Sequence, residues 1–182
     1  MNHSPESSYR DHERTASGKQ GIGFAVITLS DTRTTADDKS GQLIQQLIDD
    51  AGHQTAAYEL VPDDPERIAL ALDNALSNDR VQVIVTNGST GISARDTVVE
   101  IVENILEKRL DGFGELFRSL SYDEIGPAAM LSRAVGGTLG RRVIFSLPGS
   151  SNAVRLGMTK LILPQVGHLV QELHKDLPGG EG

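Results

Sequence analysis

The sequence predicts an α/β fold of three layers, a doubly wound and mostly parallel sheet with helices on both faces. Short apolar runs rich in β-branched residues alternate with segments whose apolar residues recur at helical spacing. Loops of small or turn-forming residues follow the runs, and this alternation is typical of parallel sheets with right-handed crossovers. A length of 182 residues with 38% hydrophobic content suits one globular domain.

Composition and charge exclude several classes of function. The chain has no cysteine, which rules out thiolate metal sites and a cysteine nucleophile. The net charge of -8 argues against nucleic acid as a partner. No apolar run approaches the ~20 residues of a membrane span, and no signal-peptide core is present, so a cytoplasmic location is expected. Residues 1–20 are predicted to be a disordered polar tail, 21–176 one domain, and 177–182 a flexible C-terminus.

The first predicted unit is a strand at 24–29 followed by a helix at 41–50. The loop between them carries polar residues, namely Ser30, Asp31, Arg33 and Ser40. Ser40 is the expected N-cap of the helix. Hydroxyls, backbone amides and an arginine beside a helix N-terminus can bind phosphate or carboxylate. A capped helix behind a solvated loop explains the same residues equally well.

The second predicted unit is a strand at 55–61 and a helix at 66–76. Pro62 and Pro65 separate the two elements because proline does not continue either of them. Asp63 or Asp64 can cap the helix. Metal binding is the functional alternative for these aspartates.

The third unit contains the loop around which the predicted site is arranged. A buried strand at 81–85 leads into small residues at 86–91 (TNGSTG) and then a helix from about Asp96 through Arg109. Such a loop between strand and helix is a common phosphate site. It lacks the Gly-Lys-Ser/Thr of a P-loop and the spacing of the dinucleotide fingerprint. The spacing leaves open whether it binds an anion or only makes a tight turn.

The last part of the chain is predicted to add helices, a turn and a fourth buried strand. In order, these are a short helix within 111–120, a helical piece at 122–135, a turn at Gly136, Gly137 and Gly140, a strand at 142–147, a second small-residue loop at 148–152, and a helix into 161–173. Phe113 and Phe117 have the spacing of core residues on a helix. Pro164 is expected to kink or divide the last helix.

Parallel strands bring their following loops to one edge of the sheet. Asp31, Asp63 and Asp96 are therefore expected to share a cleft, where carboxylates around an anion-binding loop make chemical sense if they hold a divalent cation. Ser132 and Arg133 can reach a ligand phosphate there or lie on the surface.

Eight short motifs occur in an order and spacing that resemble the MoaB/MogA group of molybdenum-cofactor biosynthesis proteins, and MoaB more than MogA. They are SDTR at 30–33, DKSG at 38–41, VPDD at 61–64, TNGSTG at 86–91, RD at 95–96, GFGE at 112–115, SR at 132–133 and LPGS at 147–150. The resemblance spans about residues 21–173. It implies a single α/β domain that binds molybdopterin and assembles as a homo-trimer or a homo-hexamer.

The resemblance also implies an activity, the adenylylation of molybdopterin by ATP with Mg²⁺. By position, Asp63 and Asp96 correspond to the family's functional aspartates, which would hold Mg²⁺ against the triphosphate. The substrate-binding set implied by the loops is Ser30, Asp31, Arg33, Ser40, Gly88, Ser89, Thr90, Gly91, Ser132, Arg133, Pro148, Gly149, Ser150 and Ser151.

Two positions depart from the family pattern. Ser89 stands where the family has a glycine, and its Cβ is expected to narrow the space for a ligand. Val98, Val99 and Glu100 stand where a Thr-Pro-Glu run is usual. These departures leave open a non-catalytic molybdopterin carrier of the same pathway. An oligomeric scaffold module is a more distant alternative, because the family's fold also appears inside larger proteins that assemble other complexes.

Overall fold

The computed structural model of this protein describes residues 21–175, which contain one six-stranded sheet. Its strands are β1 (Gly23–Leu29), β2 (Gln54–Val61), β3 (Val83–Asn87), β4 (Lys108–Arg109), β5 (Val135–Leu139) and β6 (Arg142–Leu147). In space they follow the order β2-β1-β3-β6-β5-β4. Strands β2, β1, β3 and β6 are parallel, whereas β5 and β4 are antiparallel additions at one edge. The predicted tails at 1–20 and 177–182 lie outside the described residues.

Helices cover both faces of the sheet. They are α1 (Lys39–Asp50), α2 (Pro65–Ser77), α3 (Val98–Ile105), α4 (Asp111–Ile125), α5 (Ser151–Gly157) and α6 (Leu163–Glu172), with a 3-10 turn at Gly126–Leu131 and a π-helical segment at Met158–Ile162. Helices α1, α4, α5 and α6 pack on one face, and α2 and α3 on the other. This arrangement confirms the predicted three-layer fold. Within residues 21–175, no helix has the length and apolar character needed to span a membrane.

The burial of β1 explains why consecutive apolar residues form the centre of the sheet. Every residue of β1 is buried. Phe24 and Val26 face the layer that contains α1, while Ala25 and Ile27 face the layer that contains α2. Side chains alternate between the two faces of a strand, so a strand covered on both sides needs apolar residues at successive positions.

Aspartates set the starts of α1 and α2. The prediction that Ser40 caps α1 is wrong, because the Asp38 carboxylate accepts the hydrogen bond of the Gly41 amide and Ser40 already lies inside the helix. Asp64 caps α2 by accepting from two amides of its first turn. Of the two predicted candidates, Asp63 therefore does not cap the helix.

The predicted helix through Arg109 is shorter in the structure. Helix α3 ends at Ile105, because the following chain extends and pairs with β5, with Lys108 opposite Thr138. The helical piece predicted at 122–135 is also divided differently. Helix α4 continues to Ile125, a 3-10 turn follows to Leu131, and residue 135 already belongs to β5.

The turn predicted at three glycines is correct only at Gly140, which has φ +55° and joins β5 to β6. Gly136 and Gly137 lie inside β5. A Cβ on Gly136 would come within 2.8 Å of the Phe145 ring, and one on Gly137 within 2.5 Å of the Lys108 carbonyl oxygen. These glycines are required by close packing and not by a turn.

Pro164 does not divide the last helix. It lies in the first turn of α6, directly after the π-helical segment. In that segment the Leu163 amide donates to the Met158 carbonyl, five residues earlier, so the hydrogen-bond spacing widens just before the proline. Helical conformation continues from α5 to α6, and the irregularity is a π turn in place of a break.

Candidate functional site

Four loops meet at the edge of the sheet where the parallel strands end. Ser30, Pro62, Gly88 and Pro148 directly follow β1, β2, β3 and β6. Strands β2 and β3 flank β1 on opposite sides, so the chain switches direction across the sheet there. Ligands of open α/β sheets bind in the crevice outside such a switch point.

A cavity of about 450 Å³ opens at this edge. One wall carries polar and small residues from the two predicted loops, namely Gly88, Ser89, Thr90, Gly91, Asp96, Pro148, Gly149 and Ser150. The other wall is largely apolar and comes from α4, the 3-10 turn and α5, with Phe117, Ser121, Ile125, Ala128, Leu131, Ser132 and Ala153. An apolar cavity with a few converging polar groups is the usual form of a small-molecule site.

The two small-residue loops form one surface because their backbones are in contact. Gly88 has φ +103°, and a Cβ there would lie 2.3 Å from the Leu29 carbonyl oxygen. Its amide donates to the Leu147 carbonyl at 3.0 Å. A Cβ on Gly149 would come within 3.1 Å of the Gly88 Cα. Only glycine allows this approach at position 88.

Asp96 lines the cavity as an ionised carboxylate. The Ser93 hydroxyl and amide donate to its Oδ2 at 2.5 Å and 2.9 Å. The Ser93 hydroxyl is the largest cause that lowers the pKa of Asp96 below its ordinary value, and the Arg133 charge adds to it. Gly91 packs against this carboxylate so closely that a Cβ would lie 2.6 Å from Oδ2.

Asp63 and Asp31 are not among the residues that line the cavity, although Asp63 lies close enough to Asp31 and Asp96 for their charges to affect its pKa. The Asp63 amide donates to Asp31 Oδ1 at 3.1 Å, and Asp31 Oδ2 pairs with Arg95 at 2.7 Å. Burial raises the pKa of Asp63; the Ser89 hydroxyl opposes this shift, while the negative charges of Asp31 and Asp96 add to it. Asp63 Oδ1 is buried without a hydrogen-bond partner among residues 21–175. The structure thus brings together the three aspartates that the topology groups.

Arg33, which is half-buried, and the buried Ser40 belong to a network behind the loops and are not among the residues that line the cavity. Arg33 donates to the Ser40 hydroxyl at 2.6 Å and to the Gly149 carbonyl at 3.1 Å, and pairs with Asp38 at 3.4 Å. The Ser40 hydroxyl reaches Asn87 at 2.8 Å. The network therefore ties the loop after β1 to the ends of β3 and β6.

Arg133 connects the 3-10 turn region to the loop that carries Asp96. It donates to the carbonyls of Thr90 and Asp96 at 3.2 Å and 3.0 Å and forms an ion pair with Glu100. Arg133 does not line the 450 Å³ cavity, whereas Ser132 does. The Ser132 hydroxyl is buried without a partner among the described residues.

The remaining predicted residues are placed as follows. The Ser30 hydroxyl accepts from the amides of Thr32 and Arg33, and Ser150 caps α5 while it also lines the cavity. Ser151 is exposed and outside the cavity lining.

A second cavity of about 500 Å³ adjoins the first and shares Ser132 with it. Arginines and acidic residues from α3, α4 and the β4 region line it, among them Glu103, Arg109 and Arg118. None of the loops at the ends of the parallel strands contributes to it. We therefore place the candidate site in the first cavity.

Residues 25–168 match the family model described as "Probable molybdopterin binding domain". The chain belongs to this family. The match includes five whole strands, all of β1 except Gly23 and Phe24, and all four loops of the site. Together with the similarity to solved structures of MoaB and MogA, it confirms the resemblance to the MoaB/MogA group.

Relatives in this family are similar along nearly their full length. Molybdenum cofactor biosynthesis protein B of Bacillus cereus is 50% identical over 169 residues, which cover 92% of this chain and 99% of that protein. A crystal structure of a Molybdenum cofactor biosynthesis protein B is 53% identical with a TM-score of 0.84, covering 86% of this chain and 98% of the other. The tungsten cofactor synthesizing protein MoaB from Pyrococcus furiosus is 38% identical with a TM-score of 0.78, at 86% and 99% coverage.

The sequence motifs did not indicate the apolar wall of the 450 Å³ cavity. Phe117 is a core residue as predicted, but its helix also presents Ile125 and the buried Ser121 to the cavity. Ser121 continues the buried stripe of Phe113 and Phe117 at a spacing of four. A polar residue on an otherwise apolar helix face is the one signal in the sequence that points to this wall.

Proposed function

We propose that this chain is a molybdopterin adenylyltransferase. In the reaction, the terminal phosphate of molybdopterin attacks the α-phosphorus of ATP, a phosphoanhydride bond forms, and pyrophosphate leaves. Relatives that carry the name Molybdenum cofactor biosynthesis protein B support the pathway. The observation that carries the proposal is the cavity in which two small-residue loops and the Asp96 carboxylate converge.

The two walls of the cavity suit the two parts of molybdopterin. The backbone amides of Ser89 and Thr90, at the carboxyl end of β3, can donate to its phosphate, whereas the Gly88 amide already donates to the Leu147 carbonyl and the Gly91 amide to Asp96. Phe117, Ile125 and Leu131 offer apolar surface for the ring system. The attacking group is already a phosphate oxygen, so positioning and charge neutralisation can supply most of the acceleration.

Asp63 and Asp96 fit a magnesium ion. Asp63 Oδ1 is buried without a partner among the residues described, and Asp96 lines the cavity. No group of three metal-binding side chains lies together within residues 21–175. Mg²⁺ is commonly held by one or two carboxylates together with substrate phosphates and water, so two aspartates suffice. The ion would neutralise the triphosphate, which the aspartates alone would repel.

The Asp96→Asn variant tests the proposal. We expect it to keep its melting temperature within about 2 °C and to lose on the order of a hundredfold or more in the rate of adenylyl-molybdopterin formation, because the charge that holds the cation is gone. The measurement is chromatographic detection of product from purified protein, molybdopterin, ATP and Mg²⁺. Asp73→Asn, an exposed carboxylate on α2, is the matched control and should keep the wild-type rate. Unchanged turnover in Asp96→Asn contradicts the assignment.

The same assay separates the two alternatives. Wild-type protein that binds molybdopterin without forming product supports the non-catalytic carrier. Protein that assembles into oligomers but binds no molybdopterin supports the scaffold module.

We also propose that the chain forms a homo-oligomer, a trimer or a hexamer. An apolar patch on α4 and the 3-10 turn supports this, with Leu116, Tyr122, Ile125, Met130 and Leu131 all more than half exposed. Large apolar side chains exposed together on one helix and the turn that follows it mark interfaces more often than singly exposed ones do.

A further inference from the structure

Ser89 has an unusual backbone conformation. Its φ of +54° makes it the one residue other than glycine with positive φ in the part of the chain that is described. The left-handed region is unfavourable for residues that carry a Cβ. A serine held there indicates that its surroundings stabilise it in that conformation.

The Ser89 hydroxyl forms hydrogen bonds with the residues directly before and after Asp96. It accepts from the Thr97 amide at 3.1 Å and donates to the Arg95 carbonyl at 3.3 Å, so it binds the backbone on both sides of the aspartate. Ser89 is only 7% exposed, and its hydroxyl also opposes the raised pKa of Asp63, so all of its known partners belong to the protein. Ser89 itself lines the cavity, so the expectation that its Cβ narrows the space for a ligand stays a prediction.

The start of α3 depends on this contact. Thr97 precedes the helix, but its side chain makes no capping hydrogen bond, and its hydroxyl is buried without a partner within residues 21–175. The amide of a residue at a helix start needs an acceptor from outside the helix. Ser89 supplies that acceptor from the preceding loop.

We infer that the Ser89 hydroxyl has a positioning role: it holds the Asp96 carboxylate in place through the flanking backbone and does not itself bind the substrate. This inference rests on the proposed function, in which Asp96 acts on the phosphates. The positioning role requires a hydroxyl at position 89 and a residue there that tolerates the left-handed backbone conformation.

Two variants separate the hydroxyl from the backbone. Ser89→Gly suits the positive φ but removes the hydroxyl, whereas Ser89→Ala removes the hydroxyl and keeps the strained Cβ. We expect both to lower kcat for adenylylation by on the order of tenfold to a hundredfold, with KM for ATP and molybdopterin changed less than about twofold. Ser89→Ala should also lose more thermal stability than Ser89→Gly, because both variants remove the acceptor for the Thr97 amide but only alanine keeps a Cβ at positive φ. If Ser89→Gly keeps the wild-type kcat, the inference is overturned, because the hydroxyl would then contribute nothing to catalysis and glycine would serve equally well at this position.

Amide hydrogen exchange gives a readout that does not depend on turnover. The Thr97 amide should exchange about tenfold or more faster in Ser89→Gly than in the wild type, while the Val85 amide in β3 keeps its protection. Unchanged exchange at Thr97 overturns the inference even when the wild type forms no product. If the wild type forms no product, the proposed function is contradicted, but the inference about Ser89 is still decided by the exchange of the Thr97 amide.

Discussion

Asp63 and Asp96 lie on neighbouring loops, yet their surroundings shift their pKa values in opposite directions. Ser93 stabilises the charged form of Asp96, whereas burial destabilises the charged form of Asp63. Burial places a cost on the charged form of Asp63, and this cost together with an unpartnered oxygen is typical of a functional site.

This cost predicts a stabilising substitution. The folded-state pKa of Asp63 is raised, so the group favours folding only below its ordinary value of 3.8, and that contribution is lost as pH rises through the folded-state value. At pH 7 without Mg²⁺, Asp63→Asn should therefore melt at a higher temperature than the wild type while losing adenylylation. The difference in melting temperature should disappear near pH 3. A lower melting temperature of Asp63→Asn at pH 7 contradicts the assignment of Asp63.

Asp38 provides the opposite case as a comparison. Burial alone would raise its pKa, but hydrogen bonds from Thr28, the Gly41 amide, Tyr58 and Ser40 together lower it below its ordinary value. Its contribution to stability is therefore present at neutral pH and lost as pH falls through the folded-state pKa. Asp38→Asn should cost about 2 kcal/mol at pH 7, with the loss shrinking in acid.

At the scale of elements, close packing explains the two glycines of β5, which the sequence pattern assigned to a turn. Its glycine pair reads as a turn along the chain, yet in the structure Gly136 lies beneath the Phe145 and Phe113 rings. Because glycine has no side chain, the same two residues let β5 lie close to β4 and to α4 at the antiparallel edge of the sheet.

Gly136→Ala should therefore destabilise the protein by roughly 1–3 kcal/mol, because the added methyl group has no space against the rings. Gly112→Ala is the matched control, since a Cβ there meets nothing within 4 Å and the position lies in the first turn of α4. We expect the control to be neutral or to stabilise by up to about 1 kcal/mol. Urea unfolding measures both, and equal midpoints for the two variants would show that β5 is not packed as described.

At the scale of the molecule, the two faces differ in what they leave exposed. The face with α4 carries the apolar patch, while α2 on the opposite face shows a single large exposed apolar residue, Leu70, within the described part of the chain. The patch adjoins the cavity, because Ile125 and Leu131 belong to both. Assembly through it would bring neighbouring subunits to the rim of the site.

Leu116→Glu should dissociate the proposed oligomer, since a charge buried in an apolar interface is strongly unfavourable. Leu70→Glu is the control because the two leucines are similarly exposed, at 57% and 52%. Multi-angle light scattering should show a smaller particle for Leu116→Glu alone. An unchanged mass for Leu116→Glu, or a monomeric wild type, contradicts the proposed interface.

The sequence by itself determined the three-layer fold, the four parallel strands and the loops that follow them. Strands buried on both faces require consecutive apolar residues, and the loops must lie at one edge because the strands are parallel. It also indicated the two small-residue loops, whose glycines the structure brings into contact. The functional role of Asp63 and Asp96 stays a prediction.

Tertiary structure alone decided which side chains line the cavity and which support it. Arg33 and Ser40 carry the same signal as a phosphate ligand, but their hydrogen bonds go to Asp38, Asn87 and the Gly149 carbonyl. The role of Ser89 likewise depends on its contacts with residues 95 and 97. Whether a polar group faces a ligand or the protein depends on contacts between segments distant along the chain, and no local pattern records them.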